Sequence, residues 1–126
     1  MKILVIEDDD DIRRVLQISL SRLGGMDVVE ASSGDEGLLA AVRETPHLIM
    51  LDVMMPNTDG PTTLGMLRAN AATASIPVVF MTAKAMPNEV ARLRSLGAAA
   101  VLTKPFDPAQ LPSDVRTIAR SLGLPA

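Results

Sequence analysis

Five short apolar runs recur along this chain, and any fold it adopts must shelter all of them. They are Ile3-Leu4-Val5-Ile6, Val28-Val29, Leu48-Ile49-Met50-Leu51, Val78-Val79-Phe80-Met81 and Ala100-Val101-Leu102. Each is too short for a helix, several are β-branched, and none alternates apolar with polar residues. Such runs read as strands buried on both faces. The segments between them carry a helical period instead. Ile12, Val15, Leu16, Ser19, Leu20 and Leu23 follow the i, i+3, i+4, i+7 pattern, with Gly24-Gly25 as the expected stop. Ser33 and Glu36 have capping-box spacing and open a helix with Leu38, Ala41 and Val42 inward, ending before Pro46. Thr62 to Asn70 predicts a weaker helix, since Gly65 sits inside it. Asn88 is the expected cap of a helix carrying Val90 and Leu93, with Gly97 as its stop. Leu111, Val115, Ile118, Ala119 and Leu122 form the last stripe. Strand and helix thus alternate five times, which predicts an α/β fold: a parallel sheet with helices on both faces.

Length and composition narrow the class. At 126 residues the chain predicts a single domain with a core of its own. Absence of Cys excludes thiol catalysis, thiolate metal sites and disulfides. The apolar run after Lys2 is too short for a signal-peptide core. No stretch approaches the roughly 20 residues of a spanning helix. The expectation is a soluble cytoplasmic protein with no membrane partner. Pro125-Ala126 looks like the start of a linker, so a fragment of a longer regulator or of a hybrid kinase stays open.

Charge is more informative in its placement than in its net value of −3. Five acids are consecutive, Glu7 to Asp11, while the other ten face twelve Lys and Arg. The only aromatics are Phe80 and Phe106, so there is no stacking platform for single-stranded nucleic acid. No basic cluster suggests a duplex-binding face either. Direct nucleic-acid binding is not expected.

In open parallel sheets ligands bind beyond the carboxyl ends of the strands. There, run one is followed by Glu7-Asp8-Asp9, run three by Asp52, run four by Thr82-Ala83 and run five by Thr103-Lys104-Pro105. Carboxylates crowded together raise one another's pKa, and a hard divalent cation such as Mg2+ resolves the repulsion. Asp8 and Asp52 are the expected ligands, with Glu7 acting directly or through a water. Asp10 and Asp11, and with them Asp9, are accounted for by the acid preference of a helix N-terminus. Asp52, directly after four apolar residues, is not, since a carboxylate there costs free energy unless paired. Lys104 can balance Asp52 and hold an anion placed on it, and Thr82 can donate to the same anion. His47, the one histidine, reads as solvated and receives no catalytic or metal role.

These stretches resemble the receiver domain of two-component response regulators, including the single-domain chemotaxis type. The likeness runs through Ile3-Leu4-Val5-Ile6-Glu7-Asp8-Asp9, Leu51-Asp52-Val53-Met54-Met55-Pro56 with Asp59-Gly60, Met81-Thr82-Ala83, and Gly97-Ala98 leading to Lys104-Pro105-Phe106. It covers essentially the whole chain, residues 1–126. It implies a doubly wound, flavodoxin-like sheet of strand order 2-1-3-4-5. It further implies that Asp52 is a phosphoacceptor served by a histidine kinase or histidine phosphotransfer protein. Glu7 and Asp8 would serve Mg2+, with Asp8 and Asp52 as direct ligands and the Met54 backbone carbonyl completing the set. Thr82 and Lys104 would each engage a phosphoryl oxygen, and the Lys104-Pro105 bond would be cis. Such a protein is a phosphoacceptor that assists its own phosphorylation, not a dedicated turnover enzyme. Its output surface toward an unidentified downstream target would be the fourth helix, fifth strand and fifth helix, with Arg92, Arg94, Arg116 and Arg120 lining part of it. Kinase specificity would lie around Arg13, Arg14 and Gln17.

The chain departs from the family pattern three residues before Lys104, where Val101 replaces the usual aromatic switch residue. Any switching must then rest mostly on Thr82 and the Ala83–Pro87 loop. Met54 and Lys84 occupy the positions that tune dephosphorylation in this family. Met cannot orient an attacking water, so slow hydrolysis is expected. A haloacid-dehalogenase-type phosphatase would want a second Asp where Met54 stands. A flavodoxin-like cofactor binder would want a phosphate-cradling loop where the chain is acidic. The remaining alternative is a receiver-like interaction module that works without phosphorylation.

Overall fold

The computed structural model describes residues 1–125; Ala126, half of the Pro125-Ala126 pair read as a linker start, lies outside the described residues. The strands are β1 (Lys2–Ile6), β2 (Asp27–Ala31), β3 (Leu48–Asp52), β4 (Val78–Thr82) and β5 (Ala100–Thr103). The helices are α1 (Asp10–Gln17), α2 (Gly34–Glu44), α3 (Gly60–Ala69), α4 (Pro87–Ser95) and α5 (Leu111–Ser121). All strand pairs are parallel, in the order β2-β1-β3-β4-β5.

Period-two alternation divides the sheet's side chains between two cores. Leu4, Ile6, Ile49, Leu51, Val78 and Phe80 pack with Ala40, Ala41, Leu64, Leu67 and Leu93 of α2, α3 and α4. Ile3, Val5, Leu48, Met50, Val79 and Met81 pack on the other face with Leu16 and Leu20, and with Leu111 and Val115 of α5. Burial on both faces therefore holds for β1, β3 and β4. It fails for the edge strands. Val28, Val29, Val101 and Leu102 are only partly buried, because an edge strand has a neighbour on one side alone.

Four local expectations need correction. The first helix does not run as a regular α-helix to Leu23. It changes at Ile18 into a π-helical segment, Ile18–Leu23, in which the Gly24 N–H bonds the Ser19 carbonyl at 3.0 Å. The wider turn rotates the apolar stripe past Ile18, so Ser19 and Leu20 stay buried while Leu23 faces out; Val15 and Ile18 are exposed as well. Gly25, at φ +67°, then reverses the chain. In α2 the inward residues are Gly37, Ala40 and Ala41, with Leu38 partly buried and Val42 exposed. Small residues let the helix sit close on β1, where a Cβ on Gly37 would collide with Ile6. The third helix starts at Gly60, before Thr62, because Asp59 caps it by accepting from the Thr62 N–H at 2.8 Å. Helix α4 starts at Pro87 after Met86, so Asn88 is an internal residue and not the cap.

The Ser33–Glu36 box is half formed. Ser33 Oγ accepts from the Glu36 N–H, while the Glu36 carboxylate takes the Ser32 hydroxyl. His47 is exposed and structural, its Nδ1 accepting from the Lys2 N–H at 2.9 Å.

Gly60 ties this architecture to the functional rim. Its N–H bonds the Val53 carbonyl at 3.0 Å, and a Cβ there would lie 2.5 Å from the Asp52 carbonyl oxygen. The obstacle is backbone and cannot rotate away. Gly60→Ala is expected to destabilise the fold by about 1–3 kcal/mol, read as a lower urea midpoint. An unchanged midpoint would mean that the loop after β3 yields freely.

Candidate functional site

Strand register assembles the site. Ile6 pairs with Leu51, so Glu7 follows β1 at the level of Asp52, the last residue of β3. Asp52 pairs with Met81 and Thr82 with Thr103, so Thr82 and then Lys104 step one residue further out along the rim. Backbone bonds hold each of these ends. The Glu7 N–H donates to the Ala31 carbonyl, the Val53 N–H to Met81 and the Lys104 N–H to Thr82, at 3.1, 3.1 and 2.9 Å.

The side chains converge on one ammonium. Lys104 Nζ donates to Glu7 Oε1 at 2.6 Å and to Asp52 Oδ1 at 2.9 Å. Glu7 and Asp52 are buried, with side chains 1% and 5% exposed. The carboxylates of Glu7, Asp8 and Asp52 offer oxygens within 4.8 Å of one another. Glu7 Oε2 also accepts the Asp9 N–H at 3.2 Å. Thr82 is buried, and its Oγ1 accepts from the Lys84 N–H at 3.0 Å. Its hydroxyl proton donates to no protein acceptor among the described residues. The Lys104-Pro105 peptide is cis. Met54 carries an exposed side chain two residues past Asp52.

One ammonium does not balance three carboxylates. Burial pushes the Glu7 carboxyl up to about 7, and the neighbouring Asp52 adds to the rise, against the hydrogen bonds from Lys104 and the Asp9 N–H. For Lys104, burial works against the charged form, but bonding to Glu7 and Asp52 outweighs it and holds the ammonium above its ordinary range. An all-oxygen, over-acidic pocket of this kind suits a hard divalent cation, and the three carboxylates fit Mg2+ in donor type and charge.

The structure brings Glu7, Asp8, Asp52, Thr82 and Lys104 to one rim. It does not leave every other named residue where the sequence placed it. Arg13, expected on a docking surface, turns inward and donates to the Glu7 main-chain carbonyl at 2.8 Å. Its place three residues after Asp10 was the available signal. Arg116, expected on the output face, donates to the Gly24 carbonyl instead. Arg92 does stay exposed on α4, paired there with Glu89 at 2.8 Å.

The strand order and the acids, hydroxyl and ammonium at its carboxyl rim define the chain as a receiver-type signalling domain. The chain belongs to the response regulator receiver domain family of two-component systems, whose sequence profile matches residues 3–116. It is 40% identical over 119 residues to the DNA-binding dual master transcriptional regulator RpaA of Synechocystis sp., covering 94% of this chain and 49% of that protein. It is 34% identical over 111 residues to Protein PilG of Pseudomonas aeruginosa, covering 88% of this chain and 82% of that one. Among solved structures, chemotaxis protein CheY4 of Vibrio cholerae superposes with a TM-score of 0.85 at 26% identity, covering 93% and 97% of the two chains. The chain spans about half the length of several curated relatives it matches, the transcriptional regulators among them. Receiver domains bind Mg2+ at an acidic pocket, and Glu7, Asp8 and Asp52 form such a cluster here. No helix among the described residues is long and apolar enough to cross a membrane.

The raised Glu7 pKa fixes a sign. The folded state holds this proton more tightly than the unfolded chain, whose Glu titrates near 4.5. The stability it contributes is complete below that value and is lost as pH rises through about 7. In metal-free buffer the urea midpoint is expected to fall between pH 5 and pH 8, and Glu7→Gln is expected to flatten that slope. The same slope in the variant would assign the proton elsewhere.

Proposed function

We propose that residues 1–126 form one receiver unit in which Asp52 accepts a phosphoryl group from a phosphohistidine. The observation that carries this reading is Lys104 Nζ bonded at once to Glu7 and Asp52, drawing acids from β1 and β3 to a cation from the end of β5. An Asp52 carboxylate oxygen attacks phosphorus, the bond to the donor imidazole nitrogen breaks, and the imidazole keeps that electron pair. Such transfer needs positioning and charge neutralisation more than covalent help. Lys104 stays on Asp52 through the transfer and neutralises a phosphoryl oxygen. Thr82 donates its free hydroxyl proton to another. Asp8, Asp52, the Met54 backbone carbonyl and Glu7, directly or through water, would hold Mg2+. That ion, when bound, supplies further neutralisation of the transferring group.

One feature supports a docked protein donor. Beside Lys104 runs an apolar groove of about 530 Å³ lined by Ile12, Val15, Ala83, Pro105, Phe106 and Pro108. A histidine kinase or histidine phosphotransfer protein would seat there. The downstream partner would be a protein; no nucleic-acid or membrane contact is part of this reading, and the setting is cytoplasmic. Switching runs through Thr82. Val101 packs against the α2–α4 core with neither ring nor hydroxyl to reorient. Thr82 Oγ1, by contrast, holds the Lys84 N–H of the exposed Ala83–Met86 segment. Turning that hydroxyl toward a phosphoryl group shifts the segment. The protein is a phosphoacceptor that works once per transfer, not a turnover enzyme.

Intact-mass analysis with acetyl phosphate and MgCl2 tests the reading. Wild type is expected to gain one phosphate, lost in Asp52→Asn and with chelator, and slowed about a hundredfold or more in Lys104→Ala. With Met54 at the position that would orient water, the adduct is expected to outlast a manual quench series over minutes; decay within seconds would contradict that part. No adduct from acetyl phosphate or from a phosphohistidine protein, with Mg2+ binding intact, would favour a phosphorylation-independent interaction module.

A further inference from the structure

Arg13 lies outside the acid, hydroxyl and ammonium set, yet it is wired to it. Its Nη1 donates to the Glu7 carbonyl at 2.8 Å and its Nη2 to Asp10 Oδ1 at 2.6 Å. Its Nε lies 3.4 Å from Glu30 Oε1 on β2. The side chain is only 18% exposed. Strand β1 ends at Ile6, so the Glu7 carbonyl lies past the ladder, and a guanidinium takes the place of the next strand's N–H.

The peptide so fixed is the one joining Glu7 to Asp8. Asp8 makes no side-chain hydrogen bond to protein among the described residues, so its carboxylate is aimed only through its backbone. On the far side Asp9 is secured, its carboxylate capping α1 through the Asp11 and Ile12 N–H groups at 2.9 and 3.0 Å. On the near side the Glu7 N–H is held by the Ala31 carbonyl, and Arg13 is the side chain that holds the Glu7 carbonyl itself. We propose that Arg13 is a positioning residue, whose planar fork orients the Glu7–Asp8 peptide so that both carboxylates face the pocket, and that Mg2+ affinity depends on it. This inference rests on reading Glu7, Asp8 and Asp52 as the Mg2+ site.

Geometry and charge make opposite predictions here. Arg13 is a cation near an acidic cluster, so if its charge were what mattered, deleting it would tighten cation binding. If its fork matters, deleting it weakens binding, and a lysine, with the charge but without the planar donor set, does not rescue.

The test is calorimetric titration of the full chain with MgCl2 at fixed ionic strength. The variants are Arg13→Ala, Arg13→Lys and Glu30→Gln, with Ile3→Val as a destabilised control at the opposite end of β1. Supporting partners of metal ligands commonly account for about tenfold or more in affinity. Arg13→Ala and Arg13→Lys are each expected to lose at least that, Glu30→Gln less, and Ile3→Val nothing. Should Arg13→Ala fail to fold, Arg13→Lys alone decides. Wild-type affinity in Arg13→Lys, tighter binding in Arg13→Ala, or an equal loss in Ile3→Val would each overturn the proposal. A wild-type chain that binds no Mg2+ would overturn the reading of the site itself, and with it this inference.

Discussion

Everything at the rim turns on the Lys104 ammonium held between two buried carboxylates. Glu7 and Asp52 could not lie side by side out of water without it, because isolated charges in such surroundings neutralise or leave. Burial of this kind is a poor source of stability, since desolvation offsets most of the Coulomb attraction. The residues that form it are better explained by what they can hold. Even with Lys104 in place the pocket is over-acidic, and Glu7 answers by keeping a proton up to about pH 7. A proton on Glu7 and a cation at the three carboxylates are alternative answers to one electrostatic problem.

Sheet register makes the problem unavoidable. Once Ile6 pairs with Leu51 and Leu51 with Phe80, Glu7 and Asp52 must end side by side. The apolar residues of β1, β3 and β4 fill both cores, and a slip of one residue would move each of them to the wrong face. The site is thus fixed by the hydrophobic pattern beneath it. Gly60 belongs to the same constraint, since the chain leaving Asp52 must pass close beneath it before α3 begins.

The sequence made this much legible because the apolar runs and the charged residues ending them lie next to one another in the chain. Strand order, the rim residues and their convergence followed from that adjacency together with the receiver-domain resemblance. What escaped was set by long-range or geometric choices. Burial at β2 and β5 depends on which strands end up at the edges, which no local pattern states. The π-helical segment shifts an otherwise regular stripe by a fraction of a turn, so Leu23 faces out although its spacing pointed in. Asn88 resembles a cap, but Pro87 before it already fits the first helical position. Arg13 and Arg116 looked like surface cations because a long side chain's direction is not written in its spacing; each in fact satisfies a main-chain carbonyl that a strand or helix end left over.

Two routes out of this rim differ in their freedom to carry a signal. Val101 pairs with Phe80 and packs into the α2–α4 core. It is a stiff β-branched residue with no polar end, so a charge change at Asp52 has no group to act on there. The route through Thr82 has such a group, because a buried hydroxyl at the rim holds the Lys84 N–H. From Ala83 to Met86 the chain is exposed and carries no regular structure, and Met86 itself stays in water. Moving that segment disturbs little of the buried core, whereas moving β5 would disturb packing on both faces. On the proposed reading of Asp52 as phosphoacceptor, a receiver lacking an aromatic switch would have its cheapest conformational response in the loop between β4 and α4.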